Sequence, residues 1–312
     1  MTSKPATIVL PADEDGIEQA VQMLRDGGLV AIPTETVYGL AARADSDEAV
    51  ARIFDAKGRP SFNPLIVHLA DIEQAEALAE IDEGVRAYAR SCWPGPVTLV
   101  LPRRLEAPLA KAVTAGLDSV ALRVPRHEVA RSILAKLGVP LAAPSANRSG
   151  FTSPTTPAHV LATLNGKVDL ILDAGPCEEG VESTILKWGG DGRWERLRPG
   201  PASVGDEGVN GIDATTPTRI EAPGQLASHY SPGKPVRLNA TEAMENEFMI
   251  GFGAIKGNCT LSAAADLAEA ARQLYTCLHL AVQSEMPRVA VAPVPATGIG
   301  VAINDRLKRA AA

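Results

Sequence analysis

Aromatic side chains are scarce in this chain, 4% of 312 residues, and there are only four cysteines. Cys92, Cys177, Cys259 and Cys277 show neither CxxC spacing nor a pairing pattern, which argues against a disulfide scaffold and for a reducing, cytoplasmic setting. No apolar run reaches membrane-spanning length, and the residues after Met1 lack the cationic start and apolar core of a secretion signal, so a soluble protein with no membrane contact is expected. The five histidines, His68, His127, His159, His229 and His279, have no i,i+4 partners. A histidine-based zinc site is therefore not expected, and no metal is assigned to protein side chains. The net charge of −7 argues against a protein whose main task is to coat nucleic acid, because neutralising phosphates takes clustered Lys and Arg. Only a local basic cleft, with weak RNA contact, remains open. No Walker A loop is present, no GxSxG surrounds Ser145 or Ser183, and neither Gly251-Phe252-Gly253 nor Gly298-Ile299-Gly300 completes GxGxxG. P-loop phosphate binding, an acyl-hydrolase elbow and a dinucleotide fingerprint are all disfavoured.

What is present is a large apolar fraction, 46% hydrophobic against 21% charged, enough for a substantial core. Apolar periodicity switches repeatedly between helix and strand. Asp13–Asp15 can cap a helix carrying Ile17, Ala20, Val21 and Leu24 on one face, and Ser46 can cap another carrying Ala49, Val50, Ile53 and Phe54. Further helices are expected near 72–79, 85–92, 129–137 and 158–164, with strands at 29–32, 65–69, 97–101, 120–124, 168–172 and 184–188. This is an α/β pattern built on a large twisted sheet. Residues 200–235 are rich in proline and glycine with little periodicity and read as a linker. Beyond it, strands at 248–252 and 288–292 and helices at 265–282 and 301–311 make a small α/β unit like half of a doubly wound domain. The expected division is a catalytic domain over 1–210, a linker or lid over 211–235 and a second domain over 236–312.

Two polar loops concentrate the chemistry. The helix starting at Ser46 delivers Lys57-Gly58-Arg59-Pro60. A point charge and a planar fork one glycine apart suit a polyphosphate, and Pro60 biases Arg59 to an extended backbone that aims its side chain off the helix. Pro144-Ser145-Ala146-Asn147 follows the apolar stretch 139–143, where open α/β sheets place ligand loops. Taken singly, such cations also cap helices and such loops also merely turn. Their company is what distinguishes them. A strand runs straight into Pro33-Thr34-Glu35-Thr36-Val37-Tyr38-Gly39-Leu40, Asn63-Pro64 leads into a strand bearing His68, and Arg123 sits inside an otherwise apolar strand. A buried arginine needs a partner, a carboxylate of either the protein or a substrate.

Those strings, with Trp93-Pro94-Gly95-Pro96-Val97-Thr98 and Pro144-Ser145-Ala146-Asn147-Arg148-Ser149-Gly150, resemble the YrdC-like threonylcarbamoyl-adenylate synthases through roughly the first two hundred residues. His229-Tyr230-Ser231-Pro232 resembles the linker motif of the two-domain members, and Ala302-Ile303-Asn304-Asp305-Arg306-Leu307 resembles the end of their second domain. The resemblance implies a mixed-sheet fold with a Rossmann-like C-terminal unit. It implies conversion of ATP, L-threonine and bicarbonate to threonylcarbamoyl-adenylate and pyrophosphate, with Mg2+ accompanying ATP, and a downstream threonylcarbamoyl-transferase machinery acting on tRNA. By the same resemblance Lys57, Arg59, Asn63, Ser145, Asn147 and Arg198 would hold the nucleotide, with Lys57 and Arg59 as the catalytic cations. Thr34, Thr36, Tyr38, His68, Arg123 and Ser183 would surround threonine and the carbamate, and His229 and Tyr230 would belong to a lid. No single general base is assigned. Two alternatives share the fold: a carbamoyl transferase of the hydrogenase-maturation type, and a double-stranded-RNA binding module.

Overall fold

The computed structural model describes residues 6–190, 192–202, 209–210 and 220–312. Eleven strands form one mixed sheet: β1 (Ile8–Pro11), β2 (Val30–Ile32), β3 (Gly39–Arg43), β4 (Ile66–His68), β5 (Val97–Pro102), β6 (Ser119–Arg123), β7 (Leu141–Ala142), β8 (Leu170–Asp173), β9 (Thr184–Trp188), β10 (Trp194–Arg198) and β11 (Val209–Asn210). Their spatial order is β1-β8-β2-β3-β7-β4-β6-β5-β9-β10-β11. Parallel pairs such as β4 with β6 alternate with antiparallel ones such as β2 with β3 and β4 with β7.

Local chemistry sets the helix ends. The Asp13 side chain accepts from Gly16 N at the start of α1 (Glu14–Arg25), and Ser46 Oγ accepts from Ala49 N at the start of α2 (Asp47–Lys57), each satisfying a donor that the first turn leaves free. α2 ends on Gly58 in the left-handed region, φ 59°, which a residue without Cβ adopts cheaply. Residues 59–64 are thereby turned back towards the sheet. α3 (Ile72–Leu78), α4 (Glu83–Cys92), α5 (Lys111–Thr114), α6 (Glu128–Leu137) and α7 (Pro157–Leu164) complete the helices around this sheet.

The strand that carries Gly39 to Arg43 is longer than the polar string before it implies. Leu40, Ala41 and Ala42 are all buried, on both faces, so no alternation marks them. β10 is equally poorly marked, because its register shifts between Arg196 and Arg198 and a bulge breaks the period-two pattern.

A second sheet is wholly parallel, in the order β12 (Val236–Arg237), β15 (Arg288–Val291), β13 (Glu247–Gly251), β14 (Cys259–Thr260). α8 (Leu267–Gln283) and α9 (Gly300–Ala310) pack on it. The same apolar cluster that unites this sheet and α8 also takes in Val37, Val181 and Tyr230, so the two sheets share a packed seam. Within the expected linker, residues 211–219 lie outside the described residues. The remainder, 220–235, has no helix and makes one bridge, Phe151 with Ser231, yet Ala222, Gln225, His229 and Tyr230 are buried in it.

Candidate active site

A narrow cavity of about 40 Å³ opens where the loops after β2, β7 and α2 meet the 220–232 segment. Its walls include Thr34, Thr36, Arg59, His68, Arg123, Ser145, Glu182, Ser183, Arg198, Pro223, Gly224, His229 and Tyr230. The space holds a few waters.

Charge pairing separates the arginines of this region into two kinds. Arg123 is 3% exposed and lies 2.8 Å from Glu35 Oε1, and its Nη1 donates to Thr36 Oγ1 at 2.9 Å. Burial pushes the Glu35 carboxyl up, but the charge of Arg123 and its hydrogen bond outweigh burial and hold it below the usual range. Arg59 and Arg198 are as deeply buried, yet they meet only neutral acceptors. Arg59 donates to the carbonyls of Asn63 at 3.1 Å and Pro64 at 2.8 Å. Arg198 donates to Ser183 O at 3.1 Å, Ser183 Oγ at 3.1 Å and Pro223 O at 3.2 Å. Among the described residues neither has a carboxylate at ion-pair distance. Burial, with Arg198 as a nearby like charge, brings Arg59 down to about 10 even though the field of Tyr230 acts the other way. Two buried cations without an ion-pair partner among the described residues face one cavity, with the Glu182 carboxylate acting on Arg198 only at a distance; an arriving anion would offset their desolvation cost.

Lys57 behaves differently. Its Nζ reaches Ser145 O and Asn147 O at 2.5 Å and Asn147 Oδ1 at 3.4 Å, and its own carbonyl accepts from Ser149 N. It does not line the cavity. Burial, and then the charge of Arg59, drive its pKa well below that of a free lysine. Ser145 Oγ donates to Asn147 Oδ1 at 2.6 Å, and Asn147 Nδ2 donates to Phe151 O at 2.6 Å. Lys57 and Asn147 thus sit behind Ser145 and brace its loop. Asn63 also lies behind the wall, fully buried, with neither side-chain atom hydrogen-bonded.

On the opposite wall Thr34 Oγ1 donates to Val37 O at 2.6 Å and lies 2.9 Å from Thr36 Oγ1, a local side-chain turn that presents Thr36 to Arg123. Tyr38 does not line the cavity: its hydroxyl donates to Gly175 O at 2.8 Å and accepts from Ala174 N. His68 faces the cavity with Nδ1 unpaired; burial, then the nearby Arg123 charge, lowers it to about 3. Its surroundings favour the neutral imidazole. Ser183 Oγ bridges Thr98 Oγ1 at 2.7 Å and Arg198.

His229 and Tyr230 close the cavity from above. Tyr230 is 1% exposed at φ 64°, with its hydroxyl unpaired. The segment is laid along the large sheet's unit by Ser231 N to Gly150 O at 2.9 Å and Thr152 Oγ1 to Tyr230 O at 3.2 Å. Glu35, Glu182, Pro223 and Gly224 were given no individual role from the sequence, although Glu35 stands in the string 33–40 and Pro223 and Gly224 in the expected linker or lid 211–235. Two acids inside otherwise small or apolar strings, Thr34-Glu35-Thr36 and Val181-Glu182-Ser183, were the available signal.

Comparison with known proteins bears on this geometry. A family model described as "Telomere recombination", covering Sua5, YciO and YrdC, matches residues 22–200, and one described as "Threonylcarbamoyl-AMP synthase, C-terminal domain" matches residues 195–312. The chain belongs to the threonylcarbamoyl-AMP synthase family. It is a two-domain member, matching both models. It is similar to the threonylcarbamoyl-AMP synthase of Bacillus subtilis, 37% identical over 97% of this chain and 94% of that one. It is also similar to that of Pyrococcus abyssi, at 37% over 96% and 94%. The crystal structure of P. abyssi Sua5 complexed with L-threonine superposes with a TM-score of 0.88 at 35% identity, covering 98% of this chain and 96% of that one. HypF from T. kodakarensis, at 20% identity, a TM-score of 0.54 and 24% of its own length, shares the fold alone. The relatives thus favour adenylate synthesis over the transferase and RNA-binding alternatives. Among the described residues, no helix is long and apolar enough to cross a membrane.

Proposed function

We propose that this chain makes threonylcarbamoyl-adenylate in the cavity, from L-threonine, bicarbonate and ATP carried as its magnesium complex. The observation that carries the reading is the pair of buried, unpaired guanidinium groups of Arg59 and Arg198 facing one small cavity. The triphosphate would lie on these two cations and on the Ser145 loop, which Lys57 and Asn147 hold rigid. Threonine and its carbamate would lie towards Thr36, His68, Arg123 and Ser183. Both carboxylates beside the cavity, Glu35 and Glu182, are committed to Arg123 and Arg306. Magnesium would therefore be held by phosphate oxygens and water and enter as part of the substrate.

The amine of threonine adds to bicarbonate with loss of water, giving N-carboxythreonine. One carbamate oxygen then attacks the α-phosphorus, forming a new P–O bond as the bond to the β-phosphate oxygen breaks and pyrophosphate leaves. Negative charge builds on the leaving oxygens, where preorganised cations act best. Carbamates lose carbon dioxide in water, so closure by His229 and Tyr230 would protect the intermediate. Neutral His68 orients rather than deprotonates. A cytoplasmic location and delivery of the product to a tRNA-modifying transferase follow from the same reading.

The decisive experiment incubates the pure protein with ATP, magnesium, threonine and bicarbonate and follows pyrophosphate and a new adenylate by mass spectrometry. Both products should depend on threonine and bicarbonate. Pyrophosphate release independent of threonine would refute the reading.

A further inference from the structure

α9 grips both walls of the cavity at once. Arg306, with no exposed surface, donates Nε to Glu182 Oε2 at 2.8 Å and Nη2 to Pro199 O at 2.9 Å. These acceptors flank the groups that hold Arg198. Pro199 follows it in the chain, and Glu182 precedes Ser183, whose carbonyl and hydroxyl both accept from Arg198. Ser153 Oγ at 2.6 Å and Tyr275 Oη at 2.8 Å, the latter from α8, complete the Glu182 carboxylate. Gly180 packs so tightly beneath α8 that an added Cβ would lie 2.4 Å from Arg272 Cα, leaving this junction no slack.

The same helix holds the segment above the cavity. Arg309 Nη1 donates to Leu226 O at 2.7 Å, Arg309 O accepts from His229 N at 3.1 Å, and the Arg306 guanidinium lies 5.3 Å from the centre of the Tyr230 ring. Asp305 joins the two arginines, accepting from Arg306 Nη1 at 2.6 Å and Arg309 Nε at 3.0 Å. A continuous polar chain therefore runs from Glu182 in the cavity wall, through Arg306, Asp305 and Arg309, to Leu226 in the covering segment.

We propose that Asp305, Arg306 and Arg309 are positioning residues through which the second unit sets the anion-facing Arg198 and the covering segment 226–230 together, so that closure of the cavity and alignment of its cation are one event. The proposal rests on reading the cavity as the synthase site. Arg198 has only neutral acceptors and no carboxylate to fix it, so its aim depends on where residues 182–183 and 199 are held. A displacement of about 1 Å in such a group costs on the order of a hundredfold in rate. Networks of buried, satisfied polar groups switch as units rather than bending, and this one spans both walls.

Asp305 is the informative position, because among the described residues its side chain pairs with the two arginines. In the full-length protein, Asp305→Asn keeps the size but removes the central charge and sets an amide NH2 against one of the two arginine donors, so only one of the two hydrogen bonds survives. Hydrogen–deuterium exchange without substrates should show faster uptake both in peptides covering 181–184 and 197–200 and in peptides covering 225–232. KM for magnesium-ATP should rise about tenfold, the scale of a cation less than an ångström out of place, and Tm should fall because Arg306 loses one of its two carboxylates. Arg309→Met, which keeps the aliphatic stem, should reproduce the pattern. Uptake that changes at only one wall, or only within α9, would overturn the proposal. The exchange arm needs no catalysis, so coupled exchange in a protein that makes no adenylate would preserve the relay and refute the synthase reading instead.

Discussion

Arg123 lies 2.8 Å from Glu35, and both side chains are almost wholly buried. The pair answers what an arginine in an apolar strand faces: a protein carboxylate first, with any substrate carboxylate sharing it. Removing one partner of a buried pair strands the other at a cost of about 3–5 kcal/mol. Arg123→Met should therefore lower stability sharply, and its loss of activity alone would be uninterpretable. Glu35→Gln combined with Arg123→Met should recover most of the stability while threonine-dependent synthesis stays low. Denaturant midpoints and pyrophosphate release on the three proteins check this; recovery of activity in the double variant would remove Arg123 from the threonine pocket.

Arg59 and Lys57 should part company under substitution. Arg59→Ala removes an unpaired buried cation but leaves the Asn63 and Pro64 carbonyls without their donor, effects that offset, so Tm should change little while adenylate formation falls by roughly ten- to a thousandfold, the scale of one preorganised charge stabiliser. Lys57→Ala strands the Ser145 and Asn147 acceptors and should cost about 1–3 kcal/mol in stability as well as activity. Equal Tm values for the two variants would contradict the bracing role of Lys57.

How far the sequence disclosed this site follows from which residues advertise themselves. The helix caps Asp13 and Ser46, the strands at β4, β5, β6, β8 and β9 and the small C-terminal unit were legible, because caps and apolar periodicity are local signals. Thr34, Thr36, Arg59, His68, Arg123, Ser145, Ser183, Arg198, His229 and Tyr230 meet at one cavity, having been drawn from strings up to two hundred positions apart. Tyr38 and Lys57 share those strings but turn to Gly175 and to the Ser145 loop, a choice of side-chain direction that sequence does not encode locally. Glu182 received no role for the same reason. Its importance comes from Arg306, 124 positions away.

Amino-acid selection should follow the hydroxyl. Thr36, Ser183 and His68 offer polar atoms to the cavity, and a site that hydrogen-bonds a substrate hydroxyl rejects an analogue without it far more strongly than one lacking a methyl. Serine should be a poor substrate and valine should fail in a pyrophosphate assay. Comparable turnover of valine and threonine would mean that the pocket has been misplaced.

Acid should unfold the protein early. Burial holds His68, His159 and His229 each at about 3, against about 6.5 in an unfolded chain. Between those values the unfolded state binds more protons, so stability is full above about pH 6.5 and falls as the pH is lowered. Glu182, held at about 2 because the Arg306 and Arg198 charges outweigh burial, adds to the loss below the ordinary carboxylate range. His159 stacks on His279, ring centres 3.9 Å apart, away from the cavity walls. His159→Gln should make the fall between pH 6.5 and 4.5 shallower by about one proton, read from denaturation midpoints against pH. An unchanged slope would show that His159 does not contribute.

Gly224 is closely packed within the covering segment. It sits at φ +87°, and a Cβ there would lie 2.8 Å from Tyr230 Oη, 3.0 Å from Arg198 Cδ and 3.1 Å from Arg198 Nη1. Alanine must pay for a left-handed backbone, about 1–2 kcal/mol, and must also displace either the ring that closes the cavity or the cation that faces it. Gly233 separates the two effects. It shares the left-handed backbone at φ +72°, but its added Cβ would meet nothing nearer than Phe151 Cε1 at 3.8 Å. Gly224→Ala and Gly233→Ala should therefore lose similar backbone stability, while only Gly224→Ala raises KM for magnesium-ATP and lowers kcat, by roughly tenfold or more for a cation displaced by an ångström. Matching kinetics in the two variants would show that Tyr230 and Arg198 yield without consequence, and that the close packing over the cavity is not what aligns the anion site.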